Sequence, residues 1–275
     1  MGRQNRSGKG AKPHRGFAGV GLRGLHNMYK TVKALVLREV KYKESDKILT
    51  ILTQSDGKMT VKARGALKKG CKYGAASQML AFSEMTLFGN AGRWSVNEAE
   101  TIEQFLPLRE NIENLALGTY FAEVLEAVSD EDSPNPEMLQ LGLNSLFALS
   151  RGFYTPEHIK AVFEMRAMCL SGFEPDAFGC AVCGNENPEN AMFSINGGIM
   201  HCHSCPPGTA GVSLPVCADA QQAIRHIVLS EPKQIFSFEM DEKAEKQLWG
   251  IAEAYLIAQL ERGFRSLDYW KTIKI

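Results

Sequence analysis

At 275 residues and 44% hydrophobic content, the chain is long enough to bury real cores in one to three domains. It shows neither an apolar run long enough to span a bilayer nor a charged-then-apolar leader, so neither a membrane protein nor a secreted one is expected. Formal net charge is zero, yet residues 1–72 carry 18 Lys and Arg against 4 Asp and Glu (+14), and residues 73–275 carry 13 against 27 (−14); a basic end of that size is the footprint of a polyanion binder, nucleic acid first.

Residues 1–27 hold no acidic side chain and seven glycines, which predicts a disordered basic arm. Within it Gly19-Val-Gly21-Leu-Arg-Gly24 spells GxGxxG, but no strand precedes it and no acidic residue follows at the needed distance. A dinucleotide site is therefore not expected. Residues 28–105 read as β structure. Strands are predicted over 32–38, 47–53 and 58–64, with Asp56-Gly57 turning the second into the third. In the third, Met59, Val61 and Ala63 alternate with Thr60, Lys62 and Arg64, making one apolar and one basic face. Two further strands, 79–88 and 93–99, flank a glycine turn, with Trp94 and Val96 on one face. Five short strands in this length suit a small closed barrel of the OB type. After the third strand comes Gly65-Ala-Leu-Lys-Lys69-Gly-Cys-Lys72-Tyr73-Gly74, basic, glycine-rich and aromatic. It reads either as a flap over a phosphate backbone or as a solvated loop.

Residues 106–275 read as helical, giving an α+β chain overall. Leu117, Tyr120, Phe121, Val124, Leu125 and Val128 form a core-facing stripe. Asn135-Pro136 predicts a capped helix to about residue 151, using Leu139, Leu143, Leu146 and Phe147. Thr155-Pro156 caps another ending at Gly172, and residues 218–230 and 241–262 give two more.

Into this half, at about 176–214, is set the most specific signal of the chain. Cys180-Ala-Val-Cys183 and Cys202-His-Ser-Cys205 stand with eighteen residues between the pairs. Two CxxC pairs at that separation predict four thiolates around one tetrahedral zinc, one per chain. The residues between read as a hairpin around Asn196-Gly197, so the insert is zinc-ribbon-like and too small to fold without its metal. A closed four-sulfur site offers no open coordination position, so the zinc is expected to be structural. His201 and His203 stand beside the second pair as alternative ligands. Cysteines used in this way indicate a reducing compartment, the cytoplasm.

Along Gly172-Phe-Glu-Pro175-Asp-Ala-Phe-Gly-Cys180-Ala-Val-Cys183-Gly184 the sequence resembles the bacterial DNA repair protein RecO family, in which a helix ends in Gly-x-x-Pro and leads into Cys-x-x-Cys-Gly. Lys33-Ala-Leu-Val-Leu-Arg38, Glu44-Ser-Asp-Lys-Ile-Leu and Arg64-Gly65 with its basic loop resemble the family's N-terminal OB fold. The likeness covers about residues 29–270. It implies an OB barrel, a helical bundle and a zinc module in a nucleoid-associated recombination mediator. Such a protein binds single- and double-stranded DNA, anneals complementary strands, and acts with RecR, and in some settings RecF, to load RecA onto strands coated by single-strand binding protein. The candidate phosphate contacts are Lys41, Lys43, Lys47, Lys62, Arg64, Lys68, Lys69 and Lys72, with Tyr42 and Tyr73 placed to stack on bases.

Three other classes share parts of this pattern. A zinc deaminase needs His-x-Glu or Cys-x-Glu and an open metal position, and neither dipeptide pattern occurs. P-loop and kinase patterns are absent as well, so no enzyme is expected. An RNA-binding or ribosome-associated OB protein would share the basic barrel, and a pure interaction scaffold would use only the acidic helical half.

Overall fold

The computed structural model describes residues 28–208 and 210–274; the basic arm and its GxGxxG stretch lie outside the described residues. Among the described residues five strands come first: β1 (Met28–Tyr42), β2 (Asp46–Thr53), β3 (Gly57–Ala63), β4 (Phe82–Asn90) and β5 (Arg93–Glu103). They close into a barrel in the order β1-β2-β3-β5-β4, with β4 pairing back onto β1 and β3 meeting β5 in a short parallel seam at Val61–Trp94 and Lys62–Ser95.

The side-chain pattern explains why the first two strands read as nearly continuous apolar runs. Successive strand residues point to opposite faces, and here both faces are buried. Val32, Ala34 and Val36 of β1, with Leu49 and Ile51 of β2, fill the barrel. Leu35, Leu37 and Leu52 point outward into a second core shared with the helices. In β3 the expected alternation holds, with Met59, Val61 and Ala63 inside.

The fourth strand begins at Phe82, three residues later than its predicted start at 79. The preceding turn explains the shift: Leu80 takes a left-handed backbone, φ 65°, and its N–H is held by the Val36 carbonyl at 2.8 Å. Leu80 thereby drops into the helical core instead of joining the sheet.

Among the described residues seven helices follow: α1 (Leu106–Glu110), α2 (Ile112–Val128), α3 (Pro136–Arg151), α4 (Pro156–Leu170), α5 (Ala218–Leu229), α6 (Glu242–Leu260) and α7 (Arg265–Ile273). Side chains satisfy the orphan N–H groups at four N-termini: Asn111, Asn135, Thr155 and Asp241 accept from the first turns of α2, α3, α4 and α6. The α2 stripe is buried as the spacing predicts from Leu117 to Leu125, while Val128 at its end is half-buried. On α3, however, Phe147 is 44% exposed, with the Arg151 guanidinium 5.0 Å over its ring, so it is not a core residue. Helix α7 has too few residues for a clear period; it packs Leu267 and Trp270 inward.

Between α4 and α5 lies a second sheet, β6 (Ala191–Ser194), β7 (Ile199–Cys202) and β8 (Ser213–Val216), in the order β7-β6-β8. The hairpin β6–β7 is the expected one. Strand β8 carries Pro215 at the sheet edge, where a missing N–H is tolerated, and that proline hides it from a sequence reading. Phe193, Ile195, Met200 and Val216 of this sheet belong to the same core as the helices, so sheet and bundle share one interior.

Candidate metal centre and nucleic-acid interface

The four cysteines of the two pairs converge. Their sulfurs all lie within 4.8 Å of one another, and Cys183 Sγ and Cys202 Sγ are 3.7 Å apart. A tetrahedral Zn–S₄ site with bonds of ~2.3 Å needs sulfurs about 3.8 Å apart, so the donors fit that ion. Local backbone builds the knuckles. Cys180 N–H is held by the Asn185 carbonyl and Gly184 N–H by the Cys180 carbonyl, each at 2.8 Å, with Gly184 at φ 76°. A Cβ on Gly179 would come within 2.8 Å of the Asn185 oxygen, so the knuckle also requires that glycine.

The thiols are unequal. Burial opposes ionisation of Cys180, but N–H groups of Cys183, Cys202 and Val182 outweigh it and bring this thiol down to about 6. Burial, then bonding to Cys180 and Cys183, pushes Cys202 up to about 12. Four sulfurs this close cannot all ionise without a cation among them, which is the condition a bound metal relieves. Neither histidine joins the cluster. His201 is buried, its Nδ1 2.9 Å from the Cys202 carbonyl and its Nε2 3.0 Å from Ser213 Oγ, while His203 is exposed.

The predicted basic residues stand on β1, β2, β3 and the segments that follow β1 and β3, in unequal circumstances. Lys41, Lys43, Arg64, Lys68, Lys69, Lys72 and Tyr42 are exposed. Lys47 is buried and ion-paired to Glu39 at 2.6 Å. Lys62 is half-covered and bonded to Asp46 at 2.9 Å. Tyr73 packs against the barrel core and its hydroxyl donates to the Arg64 carbonyl, which makes its ring a brace for the loop. Among the described residues Lys41, Arg64, Lys68, Lys69 and Lys72 have no carboxylate within ion-pair reach.

Two depressions lie among these residues. One, of about 840 Å³, opens at the β3–β5 seam and is lined by Tyr42, Lys62, Arg64, Asn90, Arg93 and Trp94 among others. The other, of about 450 Å³, lies under the basic loop between Arg64, Lys68, Lys69 and Tyr73. Arg64 borders both, so they form one path. Arg93 and Trp94 are the residues that sequence reasoning missed as site members. Trp94 packs against Gly89, where a Cβ would sit 2.7 Å from the indole, and the Lys30 ammonium is 4.5 Å from its ring centre. The signal was a tryptophan beside the Gly89–Gly92 turn, readable only once β5 is known to meet β3.

Away from its turn, the β4–β5 ladder is acidic. Glu84, Glu98, Glu100 and Glu103 are exposed on β4 and β5, with Glu84 directly across from Glu100. The segregation of charge therefore runs through the barrel itself, not only between chain halves. A still larger depression, about 920 Å³, lies beside β8 and α5. The Arg225 guanidinium at its rim is fully engaged by the Ala177 and Glu186 carbonyls and Asn187.

The architecture is α+β: a closed five-stranded barrel of the OB type, joined to a helical bundle that carries a four-cysteine cluster. Residues 28–105 match the family model described as Recombination protein O N terminal, and residues 109–268 match Recombination protein O C terminal. The DNA repair protein RecO of Acetivibrio thermocellus is 31% identical over 245 residues, covering 89% of this chain and 97% of that one. That of Caldicellulosiruptor saccharolyticus is 26% identical over 242 residues, 88% and 98% of the two chains. That of Listeria monocytogenes serotype 4b is 33% identical over 173 residues, 63% and 67%. The chain belongs to the RecO family, and that family gives it a role in DNA repair and recombination. Among the described residues no helix is long and apolar enough to cross a membrane.

Proposed function

We propose that this chain is a recombination mediator that holds single- and double-stranded DNA along the basic path, anneals complementary strands and helps load RecA onto strands coated by single-strand binding protein. RecR is the first expected partner and RecF the second. The observation that carries the reading is the run of exposed cations without carboxylate partners, Lys41, Arg64, Lys68, Lys69 and Lys72, with Tyr42 and Trp94 among them. Cations of this kind bind phosphate without reading sequence, and the exposed Tyr42 side chain adds a ring for stacking on any base. The acidic wall of Glu84, Glu98 and Glu100 repels the same polymer and confines it to the path. One zinc in the Cys180, Cys183, Cys202 and Cys205 cluster, in a ribbon-like module at 176–214, holds the second sheet; it supplies folding, not chemistry. The barrel at 28–105 and the helical part at 106–275 then divide the work between DNA and protein partners.

The test is annealing of complementary strands, bare and coated with single-strand binding protein. The wild-type chain is expected to accelerate both. Replacing Lys68, Lys69 and Lys72 by Ala should slow annealing and flatten the salt dependence of binding by about two units, at about 0.7 per phosphate contact on a single strand. Binding of structured RNA in preference to single-stranded DNA would instead favour an RNA-binding OB protein.

A further inference from the structure

A negative charge inside a cation-lined path should weaken binding of a polyanion, yet Asp46 sits in this one. It is the one carboxylate lining either basic depression among the described residues. Its oxygens are not loose. Oδ1 accepts the Gly65 backbone N–H at 2.7 Å and Oδ2 takes the Lys62 ammonium at 2.9 Å, with the side chain 16% exposed. Gly65 is the root of the basic loop. It stands just after β3 at φ 69°, and its carbonyl accepts the Lys68 N–H at 2.9 Å. The residue before Asp46 adds a second tie, since the Ser45 carbonyl accepts the Leu67 N–H at 2.9 Å. The Lys62 bond first, then the Gly65 N–H, hold the Asp46 carboxyl below its ordinary range, so it is ionised at neutral pH.

We propose that Asp46 is a positioning residue for the phosphate path: it anchors the root of the basic loop and holds the Lys62 ammonium at the seam, so that Arg64, Lys68 and Lys69 face one side together. The proposal rests on the reading that this path holds DNA. Its charge is already balanced by Lys62, so the local repulsion of a phosphate is small. Disorder in the loop root, by contrast, loses several contacts at once. Charge counting and positioning therefore predict opposite signs for the same substitution.

The experiment titrates full-length Asp46→Ala, Asp46→Asn and Arg64→Ala chains against a labelled single-stranded oligonucleotide at several salt concentrations. Charge counting gives tighter binding for both Asp46 variants. Positioning gives weaker binding for Asp46→Ala, by about five- to tenfold, and a salt slope flatter by about one unit as contacts leave the path. Asp46→Asn, which keeps an oxygen for the Gly65 N–H, should fall between Asp46→Ala and wild type. Amide exchange should rise at Gly65 and Leu67 while the Leu49, Ile51 and Val61 amides stay protected, separating a local effect from general unfolding. Unchanged or tighter binding by Asp46→Ala, with Arg64→Ala weakened, overturns the inference and leaves the DNA path standing. Unchanged binding by Arg64→Ala removes the path, and the inference falls with it. Should Asp46→Ala not fold, Asp46→Asn decides: binding equal to or tighter than wild type overturns the proposal, and weaker binding upholds it.

Discussion

At the scale of single residues, the least expected feature is a charge network inside the helical core. Glu164 on α4 is wholly buried; Tyr120 on α2 donates to it at 2.6 Å and Lys160 meets it at 2.8 Å. Lys160 also reaches Glu253 on α6 at 2.8 Å, and Lys271 on α7 pairs with the same carboxylate. Such groups are tolerated only when every member is satisfied, and removing one leaves the others stranded. Tyr120→Phe, which deletes one bond to a buried carboxylate, should cost about 1–3 kcal/mol in urea unfolding. Burial pushes the Glu253 carboxyl up, but the Lys160 and Lys271 ammoniums outweigh it and hold it below its ordinary 4.5. A carboxyl with a depressed folded pKa adds stability above its unfolded value, and that stability is lost as pH falls through the folded value. Unfolding measured from pH 7 down should therefore steepen below about 4.5 in the wild type, and Glu253→Gln should flatten that limb. Glu164, raised by burial above all, works in the opposite sense, so it does not account for the acid loss.

At the scale of elements, what was legible followed from periodicity and punctuation. The Met59-Val61-Ala63 alternation, the Asp56-Gly57 turn and the Asn135-Pro136 and Thr155-Pro156 caps each state a local backbone need, and the chain meets each of them. The two CxxC pairs likewise announced their convergence. What escaped depends on long-range partners. Strand β8 forms only because β6 is there to receive it, and α7 only because α2 offers a groove for Leu267 and Trp270. The burial of Lys47 against Glu39 was equally hidden, since a lysine in a basic run looks exposed until the strand pairing is known. One turn illustrates how a local signal carries a long-range duty. Gly57, read as a hairpin residue, also touches the loop after α2: a Cβ there would lie 2.6 Å from the Ser133 carbonyl and 2.7 Å from that of Asp130. Nearby, the Lys58 N–H donates to the Asp130 carbonyl at 3.0 Å and its ammonium to the Glu126 carbonyl at 2.7 Å. Gly57→Ala should thus lower stability by roughly 2 kcal/mol or more, through strain at positive φ and a backbone clash. Thermal unfolding checks it, and loss of exchange protection should appear at the barrel–bundle joint before the barrel interior.

At the scale of the whole molecule, the two cores decide how damage spreads. The barrel interior is a cluster of its own, whereas the second sheet and the helices share one interior in which Phe193 meets Tyr255 edge-on at 5.4 Å. The Tyr255 hydroxyl also donates to the Phe173 carbonyl, just ahead of the first cysteine knuckle. Zinc bound by four thiolates in such modules contributes ~10–16 kcal/mol that is inseparable from folding. Its loss should therefore be felt across the bundle and weakly in the barrel. Purified without chelator, the chain is expected to hold one zinc, and Cys202→Ser to lose it and unfold at lower temperature. Hydrogen exchange should then rise through β6, β7, β8 and α6, while Leu49, Ile51 and Val61 inside the barrel keep their protection. Single-strand binding should persist with its salt slope unchanged, because the depressions proposed to hold phosphates are lined by barrel residues alone. Equal loss of protection in barrel and bundle would show one cooperative unit, and the separation of DNA holding from metal-dependent folding would then be wrong.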